Sequence, residues 1–173
     1  VPLSLLCCLS IWGNKQVIET IATEDLQRQC VMLRREVDAF LNENIREVKN
    51  ISQANLLEEG GANAITNFFE EIQTRNPHFS ALGLANFNGD LTVSLNLGQD
   101  TKFTTVIPDG ERLLKATNET SQGQVLVSKA FSWNGTEAIC LMTPLTGHTD
   151  TDRSVLVAII DLQPVQYRME VFD

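Results

Sequence analysis

Residues 14 to 57 contain neither proline nor glycine. Within that stretch Leu26, Cys30, Leu33, Val37, Leu41, Ile45, Val48 and Ile51 recur at steps of three and four, the stripe of one helix face. Arg28, Arg34, Arg35, Glu36, Glu43, Arg46, Glu47 and Lys49 fall on the other faces. A helix over this stretch is roughly 65 Å long at ~1.5 Å per residue. A chain of 173 residues cannot cover so long a rod in one compact domain. Part of it must project or pair with another chain. Gly60-Gly61 reads as its C-terminal stop.

The chain behind the rod changes period. A second helix spans about 62 to 74, with Ile65, Phe68, Phe69 and Ile72 on its apolar face, and Asn76-Pro77 stops it. "FSALGLANFNGDLTVS" then reads as a hairpin, with strands at 79–87 and 90–96. Asn88-Gly89 predicts a type I′ turn, because both central residues need positive φ. Leu82 and Leu84 share one face of the first strand, and the small Ala81, Gly83 and Ala85 share the other, where a helix or a ligand can approach closely. A helix is the expected neighbour. Leu91, Val93 and Leu95 alternate with polar residues on the second strand.

Residues 97 to 123 are less regular and predict a short helix started by Asp109, with Leu113 and Leu114 inward. Strands follow at 124–131, 137–145 and 154–162, the last being the most apolar and so the expected centre of the sheet. "SWNG" turns between the first two, and a polar loop holding His148 separates the last two. Asp161 and Pro164 begin a closing helix as cap and first-turn residue. The fold class is α+β: a long N-terminal helix and a five-stranded antiparallel sheet.

Composition excludes several functions. A net charge of −9 and a pI near 4.7 leave no nucleic-acid footprint. Cys7, Cys8, Cys30 and Cys140 form no CxxC pair, and His78 and His148 stand far from any of them, so no zinc site and no cofactor are expected. Phosphate-binding, nucleophile-elbow and zinc-protease motifs are missing, and no nucleophile–base pair stands at useful spacing, so an enzyme is not expected. Cys30 and Cys140 read as two buried free thiols in preference to a disulfide. The sequons at Asn50, Asn118 and Asn134 are close to the about two that this composition yields by chance, so no glycosylation is read from them. "VPLSLLCCLSIW" carries no charge and is too short to span a bilayer, which takes roughly 20 apolar residues. It is the tail of a membrane helix, a signal-peptide remnant, or an apolar arm packed on the domain. The first is preferred, because the segment runs straight into a polar helix. Residues 1–13 are therefore set apart from a single domain at 14–173.

The order of elements, with "NPHFSALGLANFNGDLTVS", "GQVLVSKAFSWNGTEAICLMTPL" and "RSVLVAIIDLQPV", resembles the Cache family of PAS-like extracytoplasmic sensor domains of bacterial transmembrane receptors. Those stretches look like the family's first hairpin, its third and fourth strands and its last strand. The likeness covers about residues 15 to 170. It implies an N-terminal membrane helix, a signalling module after residue 173, and a position in the cell membrane with the domain facing the periplasm or cell exterior. It also implies a small ligand held between one sheet face and residues 97–123. The amino-acid-binding members carry Arg-x-Trp-Tyr-x-x-Ala there. This chain matches it only at Arg112, with Leu114 and Lys115 in place of the aromatics and Asn118 in place of the alanine.

Five residues are the expected ligand contacts. Arg112 and Lys129 would hold a carboxylate, and Phe103, Phe131 and Trp133 would wall the site. The expected ligand is a short carboxylate, although Asp109 and Glu111 stand near enough in sequence to neutralise Arg112. The function expected is the ligand-sensing domain of a membrane receptor: a chemoreceptor, a histidine kinase or a cyclic-dinucleotide enzyme. The alternative is an interaction module of the same fold that dimerises through its long helix and takes no small molecule. Either way a homodimer through that helix is the expected assembly.

Overall fold

The apolar stripe does form one helix, α1 (Leu3–Ser52), which begins earlier and ends sooner than the pattern suggested. The structure, a computed structural model, describes residues 3–98, 102–120, 123–145 and 154–170, with side chains from residue 24 onward except at 58 and 168–170. The helix stops at Ser52 because the chain tightens there. Ser52 Oγ donates to the Lys49 carbonyl at 2.8 Å, and the Gln53 and Ala54 amides bond three residues back at 3.2 and 3.0 Å. That turn swings Leu57 into the core from α2 (Leu56–Glu59). Gly60-Gly61 therefore ends α2, not the long helix, and opens α3 (Ala62–Arg75). Among the described residues no helix is long and apolar enough to cross a membrane.

The sheet is antiparallel throughout. Its strands are β1 (Phe79–Ala85), β2 (Leu91–Leu95), β3 (Leu126–Val127), β4 (Phe131–Trp133), β5 (Thr136–Pro144) and β6 (Val155–Asp161). The order is β2-β1-β6-β5-β3, with β4 also on β5. The most apolar strand, β6, lies at the centre, as its composition predicts, and Val155 to Ile160 are all buried. The sheet has five strand positions, the last one broken into β3 and β4. Ser128 causes the break. Its Oγ accepts the Cys140 amide and its own amide donates to the Cys140 carbonyl, both at 2.8 Å, so its side chain takes one rung of the ladder. The uniform strand expected over 124–131 is thus interrupted, and Phe131 faces the side opposite Val125.

Two cores flank the sheet. On one face Val48 and Ile51 of α1 and Ile65, Phe69 and Ile72 of α3 meet Leu82, Leu84, Ile139, Leu141 and Leu156. On the other, the small residues Ala81 and Ala85 lie under α4 (Phe103–Val106) and α5 (Gly110–Glu119). The closest approach is at Gly83, where a Cβ would meet Leu97 Cδ1 at 2.7 Å. Among the described side chains of α1, those gripped by the domain lie in its C-terminal part. Leu26, Val31 and Met32 are exposed, whereas Val48 is fully buried. The closing helix α6 (Gln163–Glu170) starts where Asp161 Oδ1 accepts the Gln163 amide at 2.8 Å.

The β1–β2 turn differs from the expected one. Asn88 does not have positive φ; only Gly89 does, at 82°. The Gly89 amide donates to the Asn86 carbonyl and the Asn86 amide to the Asp90 carbonyl, both at 3.0 Å. This is a three-residue loop ending in a left-handed glycine. Asn86 selects it by accepting the Asn88 and Asp90 amides on Oδ1 at 2.9 and 3.0 Å. The two-positive-φ turn occurs instead at Asn134 and Gly135, with φ of 50° and 87°. A bulge at Thr92 pairs Leu84 with Val93 and Ala85 with Leu91, so Leu91 joins the α4–α5 side while Val93 and Leu95 stay opposite. Gly89→Val is expected to lower stability by about 1–3 kcal/mol in chemical denaturation, from strain at positive φ. It would also place a Cβ 2.8 Å from Thr104 Cγ2.

Candidate functional site

The cover over the small-residue face is pinned at both ends. The Phe103 amide donates to the Gly89 carbonyl at 3.1 Å, tying α4 to the hairpin turn. Asp109 takes a left-handed conformation, φ 61°, and re-aims the chain from α4 into α5. Gly110 follows because a Cβ there would lie 2.7 Å from Thr104 Cα. The α4–α5 corner can close only with a glycine at that position. Asp109 begins α5, as its sequence suggests, but its carboxylate caps nothing.

That carboxylate is instead the meeting point of the two cations expected at the site. Arg112 Nη2 lies 3.4 Å and Lys129 Nζ 3.9 Å from Asp109 Oδ2. Lys129 reaches it from the break between β3 and β4, where its side chain is exposed. Both cations are exposed, at 69% and 80% of their side chains, so their pairing with Asp109 is screened and weak.

The three aromatics lie beneath. Phe103 is fully buried and Phe131 almost so, both within the core between the sheet and the cover. Trp133 is half-buried beside Phe131, ring centroids 6.5 Å apart and edge-on, and its Nε1–H finds no acceptor. The same core holds Ala81, Ile107, Leu113, Met142, Val157 and Ile159. The structure therefore brings the cations together at the rim and places Phe103 and Phe131 in the packed interior.

Cys140 shares this core. Burial pushes its thiol far above the ordinary range, opposed only by a hydrogen bond from the Ala158 backbone. Cys30 is exposed on the free part of α1, and neither residue is bonded. The expected pair of buried thiols is thus one buried and one open. Under a thiol-alkylating reagent, the peptide carrying Cys30 should modify at once, and that carrying Cys140 only with global unfolding, as read by mass spectrometry. Because the folded thiol titrates above the unfolded one, its contribution to stability is present at neutral pH. It is lost as pH rises past the unfolded range of about 8.5.

His148 lies outside the described residues. Among them, no group of His, Cys, Asp or Glu is arranged to hold a metal ion. One concavity went unread in the sequence. It lies beside α1 around Asn44, and its signal was an amide placed between Leu41, Ile45 and Val48 on the buried stripe.

No family model and no curated protein matches the sequence. Solved structures do match its fold. The extracellular domain of a histidine kinase superposes with a TM-score of 0.62 at 14% identity, over 86% of this chain and 61% of that one. The domain of a sensory box/GGDEF protein from Vibrio parahaemolyticus gives 0.60 at 12%, over 80% and 60%. The ligand-binding domain of the Pseudomonas fluorescens chemoreceptor CtaA, in complex with L-isoleucine, gives 0.54 at 15%, over 78% and 54%. The chain thus spans about three fifths or less of each of these domains. At these identities the likeness is one of fold. A gripped helix, a five-position antiparallel sheet and a two-helix cover over its small-residue face make up the fold that this chain shares with these three domains.

Proposed function

We propose that this chain is the ligand-sensing domain of a membrane signalling receptor, lying outside the cell membrane and joined through α1 to a membrane segment. The fold carries this reading: its likenesses are sensor domains of a histidine kinase, a GGDEF protein and chemoreceptors. The ligand is a small molecule, and we assign it as a short carboxylate. Arg112 and Lys129 already converge on one carboxylate, that of Asp109. A ligand carboxylate would take its place and gain the planar guanidinium fork. Exposed pairs of this kind hold with about 0–1 kcal/mol, so exchange is cheap. Trp133, with its unpaired Nε1–H, would complete the rim, and Phe103 and Phe131 would form the apolar base.

The test is calorimetric titration with acetate, propionate, pyruvate, lactate and dicarboxylates. Arg112→Ala and Lys129→Ala should each weaken binding. Asp109→Asn should tighten it by about tenfold, since Asn tolerates positive φ while the competing charge is gone. Binding that none of the three alters, or saturation of this rim by a cation, would remove the carboxylate assignment.

The projecting part of α1 supplies the assembly. Leu26, Val31 and Met32 are large apolar side chains left in solvent around the projecting helix, and a second copy lying against it in a homodimer would cover part of this set. Leu26→Glu with Met32→Glu should shift sedimentation toward monomer while the circular dichroism spectrum stays that of the folded domain. A chain already monomeric at high concentration would remove the dimer.

A further inference from the structure

A cleft of about 560 Å³ opens at the end of the sheet where β1 begins and β6 ends. Three parts of the fold meet there: α1, the turn from α3 into β1, and the first turn of α6. It is separate from the rim at Asp109, which sits across the sheet.

Its lining is mixed in a definite way. Phe40, Pro77 and Val165 give apolar walls, and Phe40 meets the His78 ring edge-on with centroids 5.4 Å apart. Glu36, Glu43 and Glu47 line it from α1, facing a single guanidinium, Arg75. Spacings of seven and four put the three carboxylates on one helix face. Among the described residues neither Glu43 nor Glu47 has an ion-pair partner.

Asn44 gives the independent observation. It lines the cleft yet is only 1% exposed. Its Nδ2 donates to the Phe40 carbonyl at 2.9 Å, which fixes the amide's orientation. The other atom, Oδ1, is then a buried acceptor, and it has no partner. A buried acceptor left unpaired is costly, and an apolar residue at 44 would avoid that cost. Asn44 Oδ1 lacks a donor, and in the cleft's lining one guanidinium, Arg75, stands against three carboxylates.

We propose that this cleft is a second ligand site, which takes a small organic ammonium ion: a primary or secondary amine on a short apolar body. Its N–H donates to Asn44 Oδ1, its charge lies against Glu43 and Glu47, and its body packs on Phe40, Pro77 and Val165. The site is chemically opposite to the carboxylate rim and stands independently of it. Its position gives it a consequence. An occupant touches α1 and α6 together, so it biases how the two are seated against one another by its differential affinity for the two arrangements.

The experiment is calorimetric titration of the whole chain with butylamine and phenethylamine, with tetramethylammonium and acetate as controls. Saturable amine binding is expected, weakened about tenfold or more by Glu43→Gln with Glu47→Gln and by Asn44→Leu. Arg112→Ala should leave it unchanged, which separates this site from the rim. Neither glutamate belongs to a buried core, so that variant keeps the test open even if Asn44→Leu misfolds. Tetramethylammonium has no N–H and should bind more weakly than either amine. No saturation up to about 10 mM amine would overturn the proposal. So would equal affinity for tetramethylammonium, or amine binding that survives the double glutamate substitution.

Discussion

Phe103→Ala is expected to lower stability by about 3–5 kcal/mol, as for a large aromatic removed from a packed core. Phe103 is fully buried between the cover and the sheet, among Ile107, Leu113, Phe131 and Met142. It also begins α4, whose amide is tied to the hairpin turn, so its loss loosens the cover where it is anchored. Urea denaturation with a shared m-value measures the effect. The size of the loss decides what the residue does. A change under about 1 kcal/mol would mean that Phe103 spends its time out of the core, leaving a cavity in the native state. The full loss means that the cover is closed by its own side chains. In that case the cavity of Phe103→Ala should take up small apolar molecules that wild type excludes.

Val157→Asp should be more severe. Val157 lies in the central strand with no exposure, paired to Gly83 on one side and Met142 on the other. A carboxylate there meets only apolar neighbours and pairs with nothing. A loss of about 4 kcal/mol or more at neutral pH is expected, enough to unfold many domains of this size. The pH dependence follows from the sign of the shift. Burial raises the folded-state pKa of the new carboxyl above its unfolded value near 3.9. The deficit is then smallest below about pH 4, where both states hold the proton, and grows as pH rises. Equal destabilisation at pH 4 and pH 8 would mean that the side chain reaches water, and β6 would not be the centre of the sheet.

Much of this architecture was legible in the chain because burial imposes period. The stripe of α1 from Leu33 to Ile51, the apolar face of α3 and the unbroken run of β6 each name their own neighbours. Asp161 was readable as a cap because that role needs only a short side chain at a boundary. The misreadings share a cause: a polar side chain replaced a backbone partner. Ser52 ended α1 eight residues before Gly60, Ser128 broke the outer strand, and Asn86 chose a three-residue loop over the tight turn. Period counts apolar positions and is blind to such substitutions. At the candidate site Arg112 and Lys129 were identifiable as residues, and their shared contact was not, because it depends on the left-handed turn at Asp109 and on the strand break that holds Lys129. Phe103 and Phe131 carry the same composition signal whether they wall a pocket or fill a core, so only packing tells the two apart.

The grip on α1 has a mechanical meaning. Among the described side chains of the helix, buried apolar contacts hold it at Val48 and Ile51, with partial support from Phe40, Leu41 and Ile45. From about residue 37 back to Leu3 the axis runs on for roughly 50 Å at ~1.5 Å per residue. A rod clamped at one end is a lever. A change in seating of about 5° at the clamp, within what repacking a few side chains allows, carries the far tip sideways by about 4 Å over that ~50 Å arm. The energy of such a movement is set at the clamp and its amplitude at the tip. A ligand worth only one or two kcal/mol of preference between two seatings would therefore be read out as a displacement comparable to a helix turn.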